Sequence, residues 1–266
     1  MLPLLTEAPH LICLTEHYLK NYEIDATPIS NYKLGAKYCR NKLKNGGVCI
    51  YIQEALKFTN TNLQKHCKEQ DIEIAALQLK LNKKNIVILC IYRAPSVDFD
   101  YFLNKFHDIL NSLHNYRMEF IICGDINMNY LETNNKKKQL DYLLVTYNLI
   151  GTVYFPTRTA NNSATLIDNI FIDNRRNYTI KPCINGLSDH DAHLIMLNIF
   201  SLPFNDSEPT YIRNINKDTI AEFQLQLSWE QWDNNIFGNN IVNDMFNNFL
   251  NTYLRCYYSS FLKKRS

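Results

Sequence analysis

The chain has no apolar stretch approaching the ~20 residues that a membrane-spanning helix needs, and this absence argues against a membrane partner. It has no basic segment ahead of an apolar core at its start. Glu7 and His10 interrupt Met1-Leu2-Pro3-Leu4-Leu5 before a secretory signal develops. None of its eight cysteines forms a Cys-x-x-Cys pair, which argues against a zinc ribbon or a thioredoxin-type site. Cys13, Cys49, Cys90 and Cys123 instead sit inside apolar runs, where a free thiol behaves as a small hydrophobe. That usage predicts a reducing, intracellular setting, nuclear or cytoplasmic. Excess charge is also lacking: 28 Lys and Arg against 26 Asp and Glu give a net charge of +2. A protein that coats nucleic acid is far more basic, so phosphate affinity here has to be local. No internal repeat is present.

What is present is an ordinary globular balance over 266 residues, 46% hydrophobic and 20% charged, enough for one large domain with an appendage. Apolar runs alternate with polar turns to about Phe200. They predict strands at 11–14, 48–53, 72–81, 85–92, 120–124, 166–172 and 193–199. Asn82-Lys83-Lys84 joins two of these as a hairpin. Apolar spacing predicts a helix over 98–114, started by Ser96 or Asp98, and another over 136–149, stopped by Gly151. Mixed order with one hairpin implies an α/β sandwich. Residues 201–209 have linker composition, and 218–232 and 241–262 carry helical spacing without a strand signal. The expected division is therefore 1–200 and a helical appendage over 201–266.

Three strand ends carry chemistry. In Ile121-Ile122-Cys123-Gly124-Asp125-Ile126-Asn127 a glycine permits a sharp turn and displays Asp125 and Asn127 at the sheet rim. If that segment is extended, residues two apart face one cavity. Leu166-Ile167-Asp168 and Ser188-Asp189-His190 follow. With Glu16 and Tyr92 upstream, this order suggests metal-assisted cleavage of a phosphodiester. Such a reaction needs a cation, an orienting base and donors to phosphate oxygens. Carboxylates suit Mg²⁺ or Mn²⁺. Glu16, closing its strand, is a candidate ligand, though a solvated carboxylate would look the same. His190 titrates near neutrality, and Asp168 is the candidate to fix its tautomer. Tyr92 and Arg158 could meet phosphate oxygens, while His193 and Lys136-Lys137-Lys138 read more simply as structural and solvated.

The ordered set resembles the endonuclease/exonuclease/phosphatase superfamily, and within it the apurinic-type endonuclease domain of non-LTR retrotransposons. The resemblance rests on Ile12-Cys13-Leu14-Thr15-Glu16-His17, Gly46-Gly47-Val48, Tyr92-Arg93-Ala94-Pro95 and Gly124-Asp125-Ile126-Asn127. It continues through Pro156-Thr157-Arg158, Ser163, Ile167-Asp168-Asn169-Ile170-Phe171 and Ser188-Asp189-His190. It implies a four-layer α/β sandwich of two facing mixed sheets flanked by helices. Glu16 would bind Mg²⁺ or Mn²⁺ with Asp189 near it, and Asp125 would orient or deprotonate water. Asn127 and Tyr92 would contact the phosphate, and His190, held by Asp168, would stabilise or protonate it. The implied act is nicking of DNA to leave a 3′-hydroxyl for a reverse transcriptase region absent from this chain. Arg213-Asn214-Ile215-Asn216, Phe223 and Trp229 resemble, more weakly, the connector that precedes such a polymerase. The superfamily's opening strand, which ends in an asparagine, has no counterpart before Glu16. An N-terminally truncated, catalytically impaired remnant is therefore the alternative expectation, with a phosphatase of the same superfamily as another.

Overall fold

A computed structural model describes residues 8–81, 84–114, 118–160, 163–183, 188–198, 211–235 and 242–265. The chain divides into two compact units, Met1–Leu202 and Pro203–Ser266. The first contains β1 (Leu11–Thr15), α1 (Asn21–Asp25), β2 (Tyr32–Tyr38), β3 (Val48–Gln53), β4 (Phe58–Asn60), β5 (Ile72–Leu81) and β6 (Lys84–Arg93). It continues with α2 (Phe99–Leu113), β7 (Met118–Asp125), α3 (Asn135–Thr146), β8 (Leu149–Gly151), β9 (Arg158–Ala160), β10 (Ser163–Thr165), β11 (Asp168–Asp173), β12 (Tyr178–Cys183) and β13 (Ala192–Leu197).

A six-stranded sheet in the order β4-β5-β6-β7-β11-β8 forms the centre. Its β6 and β7 are parallel, joined through α2, while β5 and β6 form the expected antiparallel hairpin. β6 is a continuous apolar run because both of its faces are covered. Val87, Leu89 and Ile91 pack against Phe102, Phe106 and Ile109 of α2 and Leu140 and Leu144 of α3. Ile86, Ile88, Cys90 and Tyr92 point the other way, onto Val48, Ile50 and Ile52 of the three-stranded sheet β1-β3-β2. Behind that sheet, Cys49 and Tyr51 meet Ile24 of α1. Helix, sheet, sheet, helix: this is the expected α/β sandwich. The ladder β12–β13 packs its Ile180 and Ile195 against Ile170 and Ile172 of β11.

The structure departs from the sequence expectation at several points. α3 stops at Thr146, and Asn148 turns left-handed at φ 59°, so Leu149 and Gly151 belong to β8 rather than to the helix end. Leu166 and Ile167 precede β11 because their carbonyls accept from Tyr130 N and Ile126 N of the loop after β7. β2 and β12 were not legible, since Lys33, Lys37, Lys181 and Pro182 break their apolar pattern. Asp98, not Ser96, caps α2 by accepting from Tyr101 N. Among the described residues β1 forms one edge of its sheet and β13 pairs with β12 alone.

The second unit contains β14 (Tyr211–Arg213), α4 (Lys217–Ser228), α5 (Trp232–Asn235), α6 (Val242–Ser260) and β15 (Lys263–Arg265). Asn216 caps α4 by accepting from Asp218 N and Thr219 N. The Phe223 ring packs 5.5 Å from that of Tyr253 and 5.2 Å from that of Phe261. Arg213 stacks 4.6 Å from the ring centre of Tyr258. The β14–β15 ladder corrects the purely helical expectation for this segment. The expected linker over 201–209 lies outside the described residues. No helix among the described residues is long and apolar enough to cross a membrane.

Candidate active site

Strand register assembles the site. β5–β6 pairing sets Glu73 opposite Tyr92, β6–β7 pairing sets Tyr92 opposite Asp125, and β7–β11 pairing sets Asp125 opposite Asp168. Neighbours in register share a face, so the sheet displays a row Glu73–Tyr92–Asp125–Asp168 toward the three-stranded sheet. Gly124 makes the row possible in a way that differs from the expected turn. β7 runs through it to Asp125, and at φ 141° a Cβ there would lie 1.9 Å from the Ile91 carbonyl oxygen. Only a residue without a side chain lets β6 and β7 remain paired at this point.

Asp125 is 1% exposed. Asn127 does not reach it along extended backbone, as expected, but through a left-handed turn at φ 52°. Asn127 N donates to Asp125 Oδ1 at 2.7 Å, and Asn127 Nδ2 donates to Asp125 Oδ2 at 3.0 Å and to the Arg93 carbonyl at 2.9 Å. Arg93 Nη1 donates in turn to the carbonyl of Ile126 at 3.0 Å. Burial, reinforced by the neighbouring Asp168 charge, raises the Asp125 carboxyl to about 7.

On one side of Asp125, His190 Nδ1 lies 3.0 Å from Asp168 Oδ2. Thr157 Oγ1 donates to the same oxygen at 2.8 Å and accepts from Asp168 N at 3.1 Å. The hydrogen bond to Asp168 raises the His190 pKa above its usual value despite partial burial, with the charges of Asp125 and Asp189 adding to it. Asp189 turns toward the rim, where Arg158 Nε donates to its Oδ2 at 2.7 Å with both side chains over 40% exposed. That hydrogen bond holds the Asp189 carboxyl below the usual range.

On the other side stands Glu16, at φ 53° just past β1. The Tyr92 phenol lies against it. Burial first, and then the Glu16 charge, push that phenol well above its usual range. Tyr18 is also left-handed at φ 62°, and it feels both Glu16 and Asp189. The segment is tied down by His17 N to Gly47 O at 3.4 Å and Tyr18 N to Gly46 O at 2.9 Å. Gly47 N donates at 2.6 Å to Glu73 Oε2, whose other oxygen accepts from buried Arg40.

Glu16, Tyr92, Asp125, Asn127, Asp168, Asp189 and His190 therefore occupy one electrostatic neighbourhood: Glu16, Asp168 and His190 all act on Asp125. The ligand atoms of Asp125, Asp168 and His190 lie within 4.8 Å of one another. Asp168 Oδ2 is already committed to Thr157 and His190, so this trio suits proton handling. The carboxylates of Glu16 and Asp125 supply hard oxygen donors of the kind Mg²⁺ or Mn²⁺ takes. Sequence reasoning gave no role to Thr157, which it met only as part of Pro156-Thr157-Arg158, and missed Tyr18 and the Arg40–Glu73 pair. Glu73 had a signal, since it is a carboxylate inside the apolar strand Ile72–Leu81.

No family model and no curated protein matches the sequence. Solved structures do match in shape. The endonuclease domain of TRAS1, a telomere-specific non-LTR retrotransposon, aligns with 70% of this chain and 83% of its own, at TM-score 0.53 and 14% identity. An AP endonuclease from Archaeoglobus fulgidus aligns over 72% of this chain and 90% of its own, at TM-score 0.50 and 13% identity. D. rerio TDP2, solved with a single-stranded DNA product, aligns over 71% and 86%, at TM-score 0.53 and 10% identity. The chain has the endonuclease/exonuclease/phosphatase fold.

Proposed function

We propose that this protein is a divalent-metal-dependent phosphodiesterase that nicks DNA and leaves a 3′-hydroxyl. The observation that carries the reading is the row Tyr92–Asp125–Asp168, flanked by Glu16 and closed by His190 on Asp168. The shape shared with the TRAS1 endonuclease domain and the AP endonuclease supports it.

Glu16, with Asp189 nearby, would hold Mg²⁺ or Mn²⁺, which supplies neutralisation of phosphate charge when bound. The chain's own groups do the rest. Above about pH 7 the Asp125 carboxylate is ionised and accepts the proton of the attacking water. Asn127 has both amide hydrogens engaged, by Asp125 and the Arg93 carbonyl, so it orients Asp125 instead of contacting phosphate. The Tyr92 phenol stays protonated and donates to a phosphate oxygen. His190, kept protonated by Asp168, stabilises the developing oxyanion or protonates the leaving oxygen. The nick's 3′-hydroxyl is a primer end, which suits a reverse transcriptase as the partner activity.

Supercoiled plasmid with Mg²⁺ tests the reading. Wild type relaxes it, a polymerase extends the product, and Asp125→Asn and His190→Ala nick at least about a hundredfold more slowly. Equal nicking by all three proteins would refute the proposal. Hydrolysis of a soluble phosphomonoester with no nicking would replace it with a phosphatase.

A further inference from the structure

Two residues before Tyr92 and Asp125, on the same strands, stand Cys90 and Cys123, which are themselves register partners. They share the face of the row above them. Cys13 of β1 meets them from the facing sheet. The three sulfurs lie within 4.8 Å of one another, each thiol in side-chain contact with the other two. His193 of β13 interacts electrostatically with Cys123, and its Nδ1 is buried with no hydrogen-bond partner among the described residues. A buried imidazole nitrogen left unpaired is unfavourable unless something occupies it.

We infer that Cys13, Cys90 and Cys123 form a three-sulfur structural site for a soft cation, with zinc the ion that fits and His193, whose ring nitrogens lie outside the observed sulfur cluster, the fourth ligand it would draw in. Sulfurs held about 2.3 Å from zinc in a tetrahedron lie about 3.8 Å apart, so small side-chain rotations close the observed cluster. Binding replaces each thiol proton, released to solvent, with a sulfur–zinc bond. The placement gives the site a purpose. Every ligand lies two or three residues from an active-site group on its own segment: Cys13 before Glu16, Cys90 before Tyr92, Cys123 before Asp125 and His193 after His190. One ion would thereby clamp β1 and β13, strands of separate ladders, to the central sheet beneath the catalytic row.

Cobalt(II) titration of the chelator-treated full chain tests this. The expected result is about one equivalent bound with an intense sulfur-to-cobalt charge-transfer band, displaced by Zn²⁺. The band persists in Glu16→Gln, because an oxygen-ligated cation gives none, and disappears in Cys90→Ala. His193→Gln retains it with affinity lowered about tenfold or more. Zn²⁺ also raises the Tm of the wild-type chain, a readout that needs no variant. Wild type that is folded by circular dichroism yet lacks the band, or a folded Cys90→Ala that keeps it, overturns the site. Plasmid nicking is scored separately, so failure here leaves the phosphodiesterase reading standing.

Discussion

The two flanks of Asp125 are built by different means. Toward His190, side-chain hydrogen bonds hold the groups: Thr157 and His190 converge on one oxygen of Asp168, and Arg158 holds Asp189. Toward Glu16, backbone does the holding. Glu16 and Tyr18 are left-handed, and their segment hangs on Gly46 and Gly47, which in turn hang on a buried Arg40–Glu73 pair. One flank is fixed by what its side chains touch, the other by how a loop is suspended from a distant ion pair. Damage to the first should alter protonation, whereas damage to the second should displace an intact carboxylate.

The largest effect is expected at the centre that both flanks serve. Asp125→Asn should lower nicking by about 10³-fold. Its folded carboxyl is raised to about 7, so the native state binds the proton more tightly than the unfolded state. Stability therefore falls as pH rises from about 4 to about 7, and the asparagine variant should melt higher than wild type at pH 8. Opposite signs in nicking and Tm are the expected signature.

Glu73→Gln tests the suspended flank. Removing one partner strands the Arg40 charge in the interior, at about 3–5 kcal/mol of stability by chemical denaturation. Residual nicking should need more Mg²⁺ than wild type, with an unchanged pH profile.

The bonded flank predicts the reverse. His190→Ala should lose about 10²-fold. In wild type, nicking should rise through the Asp125 titration at about 7 and fall above the raised pKa of His190. Asp168→Asn, which removes the group that raises that pKa, should move the alkaline limb to lower pH. Increasing Mg²⁺ should move the acid limb down as well, through a nearby positive charge.

Arg158→Ala should change least. Its pair with Asp189 is exposed, and such pairs contribute at most about 1 kcal/mol. The Asp189 carboxyl should titrate higher in that variant, measurable by NMR. A large loss of nicking with Asp189 intact would mean that Arg158 touches DNA.

What the sequence revealed follows the same division. Strands such as Val48–Gln53 and the β5–β6 hairpin were legible because burial on one or both faces writes an apolar pattern into them. Asp125, Asp168 and His190 were legible as polar groups at strand ends. The carbonyl that receives Asn127, the thiol cluster spread over Cys13, Cys90 and Cys123, and the role of Thr157 were not. Each depends on which residue lies across a ladder or a loop, and linear spacing does not encode that. β12 failed for another reason, since its residues alternate between half-buried and exposed and carry little apolar signal.

The shared row has a mechanical corollary. Side chains on a strand alternate between faces, so one residue inserted in β7 ahead of Asp125 would aim that carboxylate at the α2–α3 layer. Tyr92 and Asp168 would then face a stretch of backbone. The alignment of the row therefore has a tolerance of a single peptide unit, held at its narrowest by the missing Cβ of Gly124.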